Sequence, residues 1–140
     1  MECIVTQPRV LLADNNARML ERVHRLLEEE FEIVGEVRDG RSLIAKALAL
    51  RPDVAVIDLA LPECNGMEAA REIRKEYSGI KIVFLTMHQS AGLFQDALAM
   101  GGLGYVLKSC AASDLVIAIR AALEGKAYVS PRAAIAAERD

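Results

Sequence analysis

The sequence predicts an α/β protein built on a doubly wound, five-stranded parallel sheet. Three observations predict it. Short apolar runs alternate five times with longer helix-like patterns. Most of the runs are continuous rather than alternating, as expected of strands covered on both faces. Polar residues gather at the C-terminal ends of the runs, the edge at which open α/β sheets bind ligands. With 140 residues, 53% of them hydrophobic and 26% charged, the chain can form one well-covered core and is too short for two domains of ordinary size.

The first strand is "RVLLA" (9–13), which stops at Asp14-Asn15-Asn16; a helix over 16–30 follows, with Met19, Leu20, Val23, Leu26 and Leu27 on one stripe. "EIVGEV" (32–37) is the second strand, and Leu43, Ile44, Ala47, Leu48 and Leu50 give the stripe of a helix over 41–50. "DVAVID" (53–58) is the third strand, followed by a helix over 66–78 with Met67, Ala70, Ile73 and Tyr77 on one side. "KIVFLT" (81–86) and a helix over 91–100 come next, then "LGYVLK" (103–108) and a helix over 112–124. Gly40, Arg51-Pro52, Gly79 and Gly101-Gly102 punctuate the ends, and Ser113-Asp114 resembles an N-cap region for the last long helix. The tail "YVSPRAAIAAERD" is expected to add a short helix from Pro131. Parallel strands joined this way require right-handed crossovers, with helices on both faces.

Composition excludes several classes. Net charge is −3, with no basic stripe of the kind that marks a nucleic-acid surface. Cys3, Cys64 and Cys110 are odd in number and widely spaced, which argues against a secreted disulfide framework or a zinc site and for reduced thiols in the cytoplasm. No apolar stretch approaches the ~18 residues of a membrane span, and the first residues lack the pattern of a signal peptide. No Gly-rich dinucleotide fingerprint follows the first strand.

The strand ends carry the chemistry. Strand one ends in Asp14-Asn15, strand three in Asp58, strand four in Thr86 and strand five in Lys108. Each alone is unremarkable, since a strand-end Asp is commonly a cap or turn former and a loop Lys is commonly solvated. Together they put two carboxylates, an amide, a hydroxyl and an ammonium at one edge. That set suits Mg²⁺ and a phosphoryl group, with oxygen ligands for the ion and a cation for residual negative charge.

"LLADNN", "VIDLALPECNGME", "FLTMH" and "GYVLKS" together resemble the receiver domain of a two-component response regulator. "TMH", "GYVLK" and "ALEGKAYVSP" are similar to the NarL/FixJ (LuxR-type) class, and the likeness covers essentially residues 9–130. The resemblance implies a flavodoxin-like fold with strand order 2-1-3-4-5, a receiver domain over 1–130 and a tail over 131–140. It also implies that Asp58 accepts a phosphoryl group from the phosphohistidine of a sensor histidine kinase. Asp14, Asn15, Asp58 and the main-chain carbonyl of Ala60 would form the Mg²⁺ shell. Thr86 would receive a phosphoryl oxygen, Lys108 would pair with the phosphoryl group or the free carboxylate, and Tyr105 would reorient when Thr86 moves. Leu61-Pro62 and Gly66 match the loop after the phosphorylated strand. Activation would favour a homodimer, and DNA would be contacted only through a C-terminal domain outside this chain. A stand-alone receiver and a part of a longer transcription regulator both fit.

Two positions depart from that pattern. Most receivers have two acids where Asp14-Asn15 stands; an amide offers an oxygen without charge, so Mg²⁺ binding is expected to be weakened rather than lost. Ser109 stands where a proline often follows the lysine, and a cis peptide would be costly there. His88 is expected at the rim of the site or on the signalling face, His24 on the surface of the first helix, and Cys64 as a small loop thiol. The alternative reading is a degenerate receiver that acts as a phosphorylation-independent interaction module. A phosphatase of the haloacid dehalogenase type is disfavoured, because Asp58 is followed by Leu59 and Ala60 with no second Asp. The chain is therefore expected not to be an enzyme.

Overall fold

The computed structural model describes residues 7–87 and 91–129. In chain order the elements are β1 (Arg9–Ala13), α1 (Ala17–Leu27), β2 (Glu32–Val37), α2 (Gly40–Leu50), β3 (Val54–Asp58) and α3 (Gly66–Glu76). Then come β4 (Lys81–Thr86), α4 (Ala91–Ala99), β5 (Gly104–Leu107), a 3-10 turn (Lys108–Cys110), α5 (Ala111–Leu123) and β6 (Tyr128–Val129). All strand pairs are parallel, and the sheet order is β2-β1-β3-β4-β5-β6.

The caps explain where several helices begin. The side chain of Asn16 accepts from the backbone N–H groups of Arg18 and Met19, that of Asp39 from Ser42, and that of Asn65 from Glu68. Each satisfies N–H groups that the first helical turn leaves unpaired. Strand alternation then divides the core into two layers. Leu11, Ala55, Ile57, Ile82, Phe84 and Tyr105 face α2, α3 and α4. Val10, Leu12, Val54, Val56, Val83, Leu85 and Val106 face α1 and α5.

The structure corrects the expected elements in four places. Among the described residues the sheet keeps the five expected strands and adds a short sixth, because Tyr128 and Val129 pair with Gly104 and Tyr105. β5 stops at Leu107, and Lys108 opens the 3-10 turn instead of ending the strand. That turn starts α5 early, so its N-cap position is Cys110; Ser113 lies inside the first turn, where its hydroxyl donates to the Cys110 carbonyl. The first helix ends at Leu27, three residues before its expected limit. The helix expected from Pro131 and the position of His88 lie outside the described residues. Among the described residues there is no cis peptide bond, and no helix is long and apolar enough to cross a membrane.

Candidate functional site

The sheet order reverses direction between β1 and β3, which makes the crevice at their C-terminal ends the natural binding place. Asp14 stands there immediately after β1, its N–H bonded to the Val37 carbonyl of β2 at 3.1 Å. Asp58 is the last residue of β3. Both are 3% exposed, so neither charge is solvated to any useful extent.

One oxygen of each carboxylate is tied to local backbone: Asp14 Oδ1 accepts from the Asn16 N–H at 2.9 Å, and Asp58 Oδ1 from the Ala60 N–H at 3.0 Å. The other oxygens converge on Lys108. Its Nζ lies 2.8 Å from Asp14 Oδ2 and 3.2 Å from Asp58 Oδ2. The Asp14 contact is the shorter of the two ion pairs, and the Asp58 contact is also a hydrogen bond. Burial works against the charged ammonium. The close contact with Asp14 and the negative charge of Asp58 outweigh it and hold the Lys108 pKa above the ordinary lysine value.

β4 supplies Thr86, 2% exposed, in register with Leu107 just before Lys108. Phe84 pairs with Tyr105 on β5, so Thr86 and Tyr105 project from the same face of neighbouring strands. Tyr105 is buried, its ring 5.5 Å from that of Phe94 on α4 and tilted by 53°. Sequence reasoning placed Tyr105 near Thr86 but carried no signal for the Phe94 contact, which depends on how α4 lies over β5.

Asn15 and Ala60 sit at the rim, both exposed. Gly66 lets the start of α3 lie against the end of β3: a Cβ there would come within 2.3 Å of the Asp58 carbonyl oxygen. Cys64 is partly buried, with its Sγ 3.9 Å from Glu68 Oε2; burial and the Glu68 charge push its thiol pKa up. It is therefore a poor nucleophile. His24 is on α1, 2.6 Å from Glu36 and 3.4 Å from Glu28. Thus Asp14, Asp58 and Lys108 are in contact, Thr86 and Tyr105 border them through β4 and β5, and Asn15 and Ala60 form the lip. Arg38 also reaches this lip, donating to the Asn15 carbonyl at 2.8 Å, and sequence reasoning missed it.

A crossover sheet with an acid–lysine triad at its switch point defines the receiver class of signalling domain. Residues 10–120 match the response regulator receiver domain family, and the chain belongs to that family. It is 31% identical over 126 residues to the transcriptional regulatory protein DegU of Brevibacillus brevis, covering 89% of this chain and 53% of that protein. A LuxR-family two-component response regulator from Aurantimonas sp. SI85-9A1 superposes with a TM-score of 0.90 at 33% identity, covering 96% of this chain and 97% of that one. The Salmonella typhimurium RcsB response regulator, solved in work on its conformational dynamism for DNA interaction, gives a TM-score of 0.89 at 26% identity over 97% of this chain and 69% of that one. The chain thus spans about half the length of DegU. Its relatives are two-component response regulators of the NarL/LuxR type.

Proposed function

We propose that this receiver accepts a phosphoryl group on Asp58 from the phosphohistidine of a partner histidine kinase. The observation that carries the reading is the contact of one lysine with two buried carboxylates, Asp14 and Asp58. A carboxylate oxygen of Asp58 attacks phosphorus, a P–O bond forms and the P–N bond breaks. The departing imidazole, protonated on its other ring nitrogen, keeps the electron pair and leaves as a neutral ring. Two negative reactants repel each other, and Lys108, within reach of the acceptor carboxylate, offsets part of that repulsion.

Two buried carboxylates that converge on one point also suit a hard divalent cation. Asp14, Asp58, the Ala60 carbonyl and the Asn15 side chain would hold Mg²⁺, which would supply charge neutralisation and orientation of oxygens. Thr86 then takes a phosphoryl oxygen, and Tyr105, on the same face beside α4, carries the change to the surface. The chain acts as a signalling acceptor rather than as an enzyme with a substrate of its own. The receiver extends to about residue 130, and the short strand Tyr128–Val129 supports including those residues in it. Its output is transcription through a DNA-binding domain C-terminal to it, in the cytoplasm and as a homodimer once activated. The DNA interaction named for RcsB supports the DNA-binding part of this reading.

Acetyl phosphate with Mg²⁺ tests the proposal. Intact-protein mass should rise by one phosphoryl group, and Asp58→Asn should abolish the gain. The same gain in Asp58→Asn would place the acceptor elsewhere. No gain in the wild type would favour a phosphorylation-independent interaction module, the reading that the uncharged Asn15 supports.

A further inference from the structure

The loop that carries Asp14 is held from outside by Arg38. Arg38 follows directly on β2, and β2 is the hydrogen-bonded neighbour of β1. The side chain therefore reaches across to the β1–α1 loop, where Nη2 donates to the Asn15 carbonyl. Arg25 and Arg120 are ion-paired with Glu21 and Glu30. Arg38 forms no ion pair among the described residues. Asn15, the residue it holds, brings no charge either. Asp14, Asp58 and Lys108 leave the site with one net negative charge, opposite in sign to Arg38 at its rim.

We propose that Arg38 is a positioning residue of this site and its second cation, setting the balance between capture of a phosphoryl dianion and binding of a divalent cation. The inference rests on the phosphoacceptor reading above. A positive charge at the rim acts with opposite sign on the two ligands: it draws in the dianionic donor and repels the metal ion. A residue that merely props the loop would act with the same sign on both, because a loosened loop binds everything less well.

Arg38→Gln and Arg38→Lys in this chain separate these roles. Mg²⁺ affinity is measured calorimetrically on the unphosphorylated protein, and half-saturation by acetyl phosphate is measured at saturating Mg²⁺. In Arg38→Gln the Mg²⁺ dissociation constant should fall by about two- to fivefold, while the acetyl phosphate concentration at half-saturation rises by a similar factor. This is the range of a single exposed charge interaction. Arg38→Lys should return both values toward wild type. Both constants rising together in Arg38→Gln would reduce Arg38 to a structural prop, and an unchanged Mg²⁺ affinity would overturn the inference. Wild-type protein that takes no phosphoryl group would instead defeat the phosphoacceptor reading, while the Mg²⁺ measurement would still judge Arg38.

Discussion

The two edges of the sheet are built from similar residues to opposite ends. At the N-terminal edge, Arg9 Nη1 donates to the carbonyls of Leu50 and Arg51, and the Arg9 N–H donates to Asp53 Oδ2. The Tyr77 hydroxyl donates to the Pro52 carbonyl, and the Arg51 guanidinium lies 5.0 Å from the centre of the Tyr77 ring. Polar groups there close on backbone carbonyls and on each other. At the C-terminal edge, two carboxylates are buried against one ammonium, which leaves one negative charge in excess. Charge is thus stabilised locally at the first edge and kept available at the second. Functional sites commonly accept such local disadvantage.

Removing Lys108 should break this contrast most sharply. Lys108→Met leaves two buried carboxylates without their counter-ion, and unfolding free energy by urea titration should fall by about 3 kcal/mol near neutral pH. Adding Asp14→Asn should recover part of the loss by removing one of the like charges. The pH dependence has a definite sign. Because the folded-state pKa of Lys108 is raised, its stabilisation is fully present below the ordinary lysine pKa of about 10.4. It is lost as pH rises through the higher folded value. The stability gap between wild type and Lys108→Met should therefore be flat from about pH 6 to 9 and close only above about 10.4. Equal stability of the two proteins at neutral pH would mean that the carboxylates need no counter-ion.

A smaller change sharpens the description of the C-terminal edge. Asn15→Asp adds a negative charge at the lip, and Mg²⁺ should bind roughly tenfold more tightly, about 1.4 kcal/mol. A calorimetric titration of the two proteins checks this. Equal affinities would mean that the exposed side chain of residue 15 does not face the ion.

Much of this site was legible because it depends on position within a strand. Asp58 and Thr86 end continuous apolar runs, and in a parallel sheet all such ends share one edge, so their convergence follows from pattern alone. Lys108 was found by the same logic even though it lies one residue past β5, since a shift of one residue does not move it to another edge. Arg38 was not legible. Its role depends on β2 lying beside β1 and on a long side chain crossing between them, which no local spacing records. The sixth strand was hidden for a related reason: two residues, Tyr128 and Val129, are too few to show a period. Asp114, buried at the start of α5, reads as an ordinary polar residue of a first helical turn until Tyr128 of β6 meets it.

The smallest expected effect lies at the N-terminal edge and tests whether that edge is closed as described. Arg9→Ala removes the guanidinium that donates to the Leu50 and Arg51 carbonyls. It keeps the backbone N–H that Asp53 accepts from, so the β1 end of the sheet stays in place. The lost bonds are partly exposed, and water can replace some of them. The cost should therefore be that of a typical net hydrogen bond, about 1 kcal/mol, read as a lower urea midpoint with an unchanged slope. Phosphorylation of Asp58 should be unaffected, because the site stands at the other end of the strands and contributes none of the lost contacts. A phosphorylation defect in Arg9→Ala, with stability unchanged, would show that the two edges are coupled through β1 and that their roles are not separable.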